Sequence, residues 1–353
     1  FIWFNSINSS FEGLIKLIQV SNFEKKNFCV CTPYIIPDNL NKVMNAGDGF
    51  IYDSSIKLIK NNPRFVFSSR EKLNEKKIEM INSCKLLVVT GANILKDNLE
   101  IITGFDQRTL DKIKVPIALM GIGHYGLEET NKYGFDQNSK LLIKKILDRF
   151  PYISVRCNGS FDYMKKSLGV SSLKKIINTS CPVIFKTENI DKKFLKKDIY
   201  EYMVVTITDR VMLKQQLPIL SFASKFFKYK RKILSLHQNY QNHKLETFAK
   251  DMGFEIFKSN DYKNYIDLYL KCDLHFGNRV HAHLKCLSLG VPSFCTPFDL
   301  RQLYFSNSIQ LPLINHSNYK LLETFMFERF LNHQKKARIK MNDFLSSIVK
   351  LLV

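Results

Sequence analysis

Residues 275–294 read His-Phe-Gly-Asn-Arg-Val-His-Ala-His-Leu-Lys-Cys-Leu-Ser-Leu-Gly-Val-Pro-Ser-Phe. Asp273-Leu274-His275-Phe276 has the apolar, bulky character of a buried strand end, and Gly277 permits the tight turn that must follow it. From about Arg279 to Leu289 the apolar residues Val280, Leu284 and Leu287 recur at helical spacing, predicting a helix with those three on its buried face. Gly290 stands where a C′ glycine closes a helix, and Val291-Pro292 opens the next extended segment. The unit is therefore strand, turn, helix, strand. Asn278, His281 and Lys285 fall on the face opposite the apolar one, so an imidazole and a cation meet at a helix N-terminus, where backbone N–H groups favour an anion. A lone His there would read as a satisfied packing residue; the crowding of Arg279, His281, His283 and Lys285 points instead to a site.

The same alternation extends in both directions. Upstream strand candidates are Phe28–Thr32, Arg64–Ser68, Lys85–Thr90, Val115–Gly121 and Tyr152–Arg156, separated by helical patterns such as Phe50–Lys60 and Ser139–Arg149. A second series runs Tyr202–Thr206, Lys232–Leu236, Phe254–Phe257, Asp273–Phe276 and Pro292–Thr296. Strands alternating with helices define an α/β chain with parallel sheets. The polar, Lys-rich stretch Lys186–Asp198 separates the two series and reads as a linker. The expected organisation is two Rossmann-like, doubly wound domains facing a cleft, residues 1–190 and 191–353, with C-terminal helices from about Asn318 packing back across the seam.

With 353 residues, 45% of them hydrophobic, the chain can bury two cores and is not a disordered polymer. No apolar run reaches the roughly 18 residues needed to span a bilayer. Phe1-Ile2-Trp3-Phe4 lacks a basic n-region, so no signal peptide is expected there. None of the eight cysteines forms a CxxC pair, which reads as reduced thiols in a cytoplasmic protein with no metal site. The formal net charge of +21 suits nucleic acid, an anionic membrane face or phosphorylated substrates, although a Lys- and Asn-rich composition also produces it without a functional cause. RNP, helix-turn-helix and zinc patterns are absent, so no nucleic-acid partner is expected. The basic, aromatic run Lys225–Lys232 would suit a membrane surface, or equally a solvated helix end.

Ligands of doubly wound sheets bind at strand C-termini, and the polar loops here follow strands. Asn45-Ala46-Gly47-Asp48-Gly49 precedes a helix expected near Phe50, with Asp48 as N-cap or as a carboxylate facing the cleft. Thr90-Gly91-Ala92-Asn93 offers small residues for close approach to phosphate or sugar. Gly121-Ile122-Gly123-His124 lacks the GxGxxG spacing of a dinucleotide site, leaving His124 as a substrate contact. Arg156 ends a strand and can hold carboxylate or phosphate bidentately, with Ser160 expected to cap the following helix. Leu236-His237-Gln238 would face the same cleft.

Taken in order, these loops resemble the polysaccharide pyruvyl transferase family. The matching pieces are Asn45-x-Gly47-Asp48 before a helix, Ser154-Val155-Arg156 with its helix closing at Leu168-Gly169, and Gly277-x-Arg279-x-His281 through Gly290-Val291-Pro292. The sequence departs from the family pattern at Thr90–Asn93, where a glycine run is usual, and at Cys181-Pro182, where Asp-Pro is frequent. The resemblance implies a glycosyltransferase-B-like fold and transfer of pyruvate from phosphoenolpyruvate to a sugar of a cell-surface polysaccharide or its lipid-linked precursor, as a ketal. It implies Arg156 for the donor, His281 as the catalytic imidazole, and no metal or organic cofactor. Asp48 is then expected to orient or deprotonate an acceptor hydroxyl, with Asn93, His124, Arg279, His283 and Lys285 around the substrates. A nucleotide-sugar glycosyltransferase on the same two-domain fold is the alternative. Either enzyme would be cytoplasmic, with a glycan or lipid-linked glycan as partner and contact with an anionic membrane face in prospect.

Overall fold

A computed structural model describes residues 27–34, 45–91, 93–99, 101–124, 134–186, 200–208, 213–226, 229–238, 242–311, 313–314 and 327–352. Eleven strands and eleven α-helices lie within them: β1 (Phe28–Thr32), α1 (Ala46–Ile59), β2 (Phe65–Ser68), α2 (Glu75–Asn82), β3 (Leu86–Thr90), α3 (Gln107–Lys112), β4 (Ile117–Ile122), α4 (Gln137–Arg149), β5 (Ile153–Val155), α5 (Asn158–Leu168), β6 (Ile176–Asn178), β7 (Tyr200–Thr206), α6 (Leu213–Phe226), β8 (Tyr229–Ser235), α7 (His243–Asp251), β9 (Glu255–Phe257), α8 (Tyr262–Lys271), β10 (Leu274–Gly277), α9 (Val280–Ser288), β11 (Ser293–Cys295), α10 (Leu300–Ile309) and α11 (Phe327–Leu352).

Two sheets result, ordered β2-β1-β3-β4-β5-β6 and β11-β10-β7-β8-β9, with parallel pairing throughout. The strand order reverses at β1/β3 in the first sheet and at β7/β10 in the second, and crevices for ligands open at such points. Every expected strand is present within two or three residues of its predicted ends. Strand β6, three residues at the edge of the first sheet, was not among them. The junction expected in Lys186–Asp198 falls almost wholly outside the described residues, as does the Asn318–Met326 start of the expected C-terminal helices.

Both faces of the first sheet are covered, which is why its strands read as unbroken apolar runs. One face (Cys29, Leu87, Leu119, Ile153) packs with Ile78 of α2, Leu110 of α3 and Ile143 of α4. The other (Phe28, Val88, Ala118) joins a core shared with Phe50 of α1, Tyr265 and Tyr269 of α8, Leu284 of α9, and Phe330 and Phe344 of α11. A third cluster, with Met203, Leu234 and Phe276, closes the outer face of the second sheet under α6 and α7. The shared central core is what fixes one sheet against the other.

Helix α11 crosses from the second half onto the first sheet. Phe344 meets Phe150 edge-on at 5.7 Å, Lys85 Nζ donates to the Leu352 carbonyl at 3.4 Å, and the Arg338 guanidinium lies 4.3 Å over the Phe185 ring. The Lys225–Lys232 run is a helix end followed by a strand, with Phe227 and Lys228 outside the described residues. Its Arg231 is held by Glu255 and its Lys232 by Ser224 Oγ and the Met252 carbonyl. Among the described residues no helix is long and apolar enough to cross a membrane. All eight cysteines are buried and none is in a disulfide.

Candidate active site

Three helix N-termini converge on one cleft between the sheets. Helix α1 begins four residues earlier than the apolar pattern implied, because Asn45 takes the cap position and its side chain accepts the Gly47 N–H at 3.1 Å. Asp48 is therefore a first-turn residue rather than the cap. It lines the cleft, but its carboxylate accepts from Arg70 Nη2 at 2.5 Å. The Ala46 N–H donates to the His237 carbonyl at 3.1 Å, tying α1 to the end of β8.

Helix α9 enters from the β7/β10 switch point. Its cap residue is Arg279, whose side chain caps nothing in the helix; Arg279 Nε donates to the Ile207 carbonyl at 3.1 Å instead. The first-turn amides of α9 are thus without a side-chain cap and open onto the cleft, an arrangement suited to an anion. His281, in that first turn, packs against Gly47, where an added Cβ would lie 3.2 Å from His281 Nδ1. Its Nε2 is buried and has no hydrogen-bond partner. Burial, then Arg156, Arg301 and Arg279, hold the His281 pKa well below the ordinary imidazole value, so the ring is neutral when no ligand offsets those cations.

Arg156 leaves the end of β5 almost completely buried, 2% exposed. Its Nη2 donates to Asn93 Oδ1 and, at 3.1 Å, to the His124 carbonyl. Its guanidinium rests over Gly123, where a Cβ would fall 1.9 Å from Nε, and stacks 5.4 Å from the Phe305 ring. Nε has no partner. Burial lowers the Arg156 pKa from its ordinary value, yet a guanidinium starts so high that the charge stays. His281 is 6.5 Å from the same Phe305 ring, so Arg156 and His281 lie within about 12 Å of each other.

Of the residues singled out in the sequence, Asp48, Asn93, Arg156, Arg279 and His281 line this cleft, and His124, His283 and Lys285 do not. The His124 ring is turned inward against Tyr163 at 4.5 Å, and the His124 backbone N–H donates to Ser160 Oγ at 3.0 Å. Ser160 lies inside the first turn of α5 rather than at its cap, a position held by Cys157. His283 Nδ1 bonds Ser293 Oγ at 2.7 Å, as does His275 Nδ1; burial pushes the His283 pKa down to about 3. Lys285 is fully buried, with Nζ 3.9 Å from Asp53 of α1. Helix α9 is covered on both sides, so its polar face is an interface with α1 and not a rim.

Sequence reasoning stopped one loop short of the third wall. Asp299 caps α10 through a capping box with Gln302, and Arg301, Gln302 and Phe305 line the cleft. Arg301 is paired with Asp299 at 2.9–3.0 Å, and Gln302 Nε2 donates to the Asn278 carbonyl at 2.7 Å. The signal was present as Asp299-x-x-Gln302 after a strand. The cleft therefore offers Arg156, Arg279 and Arg301, uncapped helix amides and two imidazoles, His281 and His237. That inventory is chemically suited to a small, multiply charged anion, with imidazoles beside it that can carry protons. Among the described residues no group of three or more His, Cys, Asp or Glu is arranged to hold a metal.

The two-sheet architecture, with helix N-termini meeting between the sheets, is that of glycosyltransferase-B-like enzymes. Solved structures of similar shape include an S. aureus MnaA–UDP co-structure (TM-score 0.50, 13% identity, covering 88% of this chain and 91% of that one). A putative UDP-N-acetylglucosamine 2-epimerase from Listeria monocytogenes is comparable (TM-score 0.50, 10% identity, 92% and 96% covered). A glycosyltransferase from Rickettsia africae ESF-5 has a TM-score of 0.48 at 9% identity, with 92% and 98% covered. At these identities the likeness is one of fold. No match is found among curated protein sequences. The family model for polysaccharide pyruvyl transferase matches residues 45–299, a span that runs from the cap of α1 to the cap of α10. The chain belongs to the polysaccharide pyruvyl transferase family and is a transferase.

Proposed function

We propose that the enzyme transfers a pyruvyl group from phosphoenolpyruvate to a pair of hydroxyls on a sugar of a cell-surface polysaccharide or its lipid-linked precursor, forming a ketal. Residues 1–190 and 191–353 are the two domains in this reading, and the enzyme works in the cytoplasm at the inner membrane face. The observation that carries it is the unpartnered Nε2 of His281 set among Arg156, Arg279 and Arg301. The donor bears a carboxylate and a phosphate; Arg156 takes one and the α9 amides with Arg279 take the other. His281 delivers a proton to the methylene carbon as the double-bond pair moves to it, leaving cationic character at the adjacent carbon. A sugar oxygen attacks that carbon and loses its proton. The carbon–oxygen bond to phosphate then breaks with its pair, and the second hydroxyl closes the ring. Of the two hydroxyl protons, one replaces the proton spent on carbon and the other leaves on phosphate.

The test is phosphate release from phosphoenolpyruvate with a lipid-linked glycan acceptor and recovery of a glycan-bound ketal. Turnover with a nucleotide sugar and none with phosphoenolpyruvate would assign the protein to glycosyl transfer.

Two results follow from the geometry. Donor binding should take up a proton. The free-state pKa of His281 lies well below 6.5, and an anion placed among the three arginines raises it, so affinity increases as pH falls through the bound-state pKa and levels off below the free-state one. Between those limits the dissociation constant should change by up to about tenfold per pH unit. Calorimetry in buffers of different ionisation heat reads the uptake directly, and none between about pH 6 and 8 would mean that the donor does not charge His281. Gly123→Ala should selectively damage the donor site. The new methyl group falls on the buried Arg156 side chain rather than on backbone, so the fold should survive with a loss of about 1–3 kcal/mol as the guanidinium leaves its partners. The donor KM should rise by roughly tenfold or more, as expected for losing a charge-assisted contact of 1.5–3 kcal/mol. Unaltered KM in a folded variant would show that Arg156 does not hold the donor.

A further inference from the structure

We propose that His237 is the second proton-transfer group of this reaction, the base that receives the acceptor hydroxyl protons, with Tyr269 holding its ring in place. The assignment rests on the pyruvyl-transfer reading and extends it to the acceptor side.

Ketal formation asks for opposite operations on two kinds of atom. One proton must be placed on carbon, and two must be taken from oxygen. A single imidazole at His281 cannot be positioned for both while the donor lies against it. Asp48, the carboxylate closest to the α1 N-terminus, is occupied by Arg70 at 2.5 Å. His237 remains. It lines the same cleft and is 2% exposed, and its carbonyl receives the Ala46 N–H at 3.1 Å. His281 packs against the next residue, Gly47. Both residues thus meet helix α1, His281 through its ring at Gly47 and His237 through its main chain at Ala46 and its ring 5.7 Å from Phe50.

The surroundings of His237 are built to hold a base. Its Nε2 is hydrogen-bonded to the Tyr269 hydroxyl, and Tyr269 is fully buried beside Ser235. The Tyr265 ring meets it edge-on at 5.0 Å and the Phe50 ring at 5.7 Å. Ring rotation is blocked, and Nδ1 has no hydrogen bond among the described residues. Burial and then Arg279, His275 and His281 keep the ring neutral in the free protein, the state an acceptor of protons must start from. In the assigned tautomer Nε2–H donates to the Tyr269 oxygen and Nδ1 carries the lone pair. As the sugar oxygen bonds to the donor carbon, its proton passes to Nδ1, and the Nε2–H bond to Tyr269 stays in place to stabilise the imidazolium. The departing phosphate removes that proton; Nδ1 then takes the proton of the second hydroxyl and loses it to solvent, from which His281 regains the one it gave to carbon.

The experiment compares wild type with His237→Gln and Tyr269→Phe, measuring phosphoenolpyruvate affinity by calorimetry and ketal formation against pH. His237→Gln should keep donor affinity within about threefold and lose about 10²–10⁴-fold in kcat. Tyr269→Phe, which leaves the imidazole but removes its partner, should lose about tenfold and shift the limb of the kcat–pH profile on which activity rises with pH. A folded His237→Gln with kcat within threefold of wild type overturns the assignment, as does an equal loss of donor affinity and turnover. If His237→Gln does not fold, an unshifted profile in Tyr269→Phe overturns it instead. Wild type that releases no phosphate from phosphoenolpyruvate removes the underlying reading, a result distinct from either of these.

Discussion

His281→Ala is expected to lower kcat for phosphate release by about 10²–10⁴-fold while moving the donor KM only a few-fold. The asymmetry has a physical origin. The imidazole is neutral before the donor arrives and faces it with an unpartnered nitrogen. In the proposed reaction, ground-state affinity comes mainly from the arginines and the α9 amides, whereas the proton is shared with carbon only in the transition state. His281 is only half-buried, so the truncation should leave the unfolding midpoint close to wild type, and the proton uptake on donor binding should vanish with the imidazole. Turnover within a few-fold of wild type would eliminate His281 as the acid.

Gly277→Ala should be the most damaging single-methyl change for folding. Gly277 has φ +148°, and an added Cβ would lie 1.8 Å from the Thr206 carbonyl oxygen and 2.8 Å from its carbon. That carbonyl is the acceptor for Asn278 N–H at 3.0 Å, in the register that pairs Gly277 with Thr206 across β10 and β7. The neighbour is backbone on both counts, so nothing can swing aside. Backbone strain and overpacking together imply a loss of about 3 kcal/mol or more. Gly169→Ala is the control: its φ is +76° but nothing lies within 4 Å of the added atom, so a loss of about 1 kcal/mol is expected. Denaturant midpoints of the two variants check the contrast. A Gly277→Ala loss no larger than that of Gly169→Ala would mean that β10 and β7 can separate without cost.

The strands were legible because parallel sheets covered on both faces leave little room for polar residues, and runs such as Leu86–Thr90 have no other use. The site was legible to the extent that strand ends and helix starts mark it: Asn93, Arg156, Arg279 and His281 were found by that rule. It failed where a helix has no solvent face. Helical spacing set Lys285 opposite Leu284, but nothing in spacing reports that Asp53 waits there. His283 was misread for the same reason, since Ser293 lies on a strand ten residues on. His124 ends a strand as the rule requires, yet its ring turns inward to Tyr163 while its carbonyl serves Arg156. Asp48 was placed in the cleft without Arg70, a partner 22 residues away that no local pattern connects.

The crossing of α11 onto the first sheet sets an order of events in making this molecule. The first sheet is complete in the chain at Asn178, but the helix that supplies Phe330, Phe344 and Ile348 to its core is synthesised about 150 residues later. At ordinary elongation rates that interval is roughly 10–30 s, during which one face of the nascent sheet stands uncovered. The first half therefore cannot finish folding on the ribosome ahead of the second, as consecutive domains commonly do. A fragment cut after β6 exposes the apolar surface that α8, α9 and α11 cover together in the whole chain, and it should be less soluble than that chain.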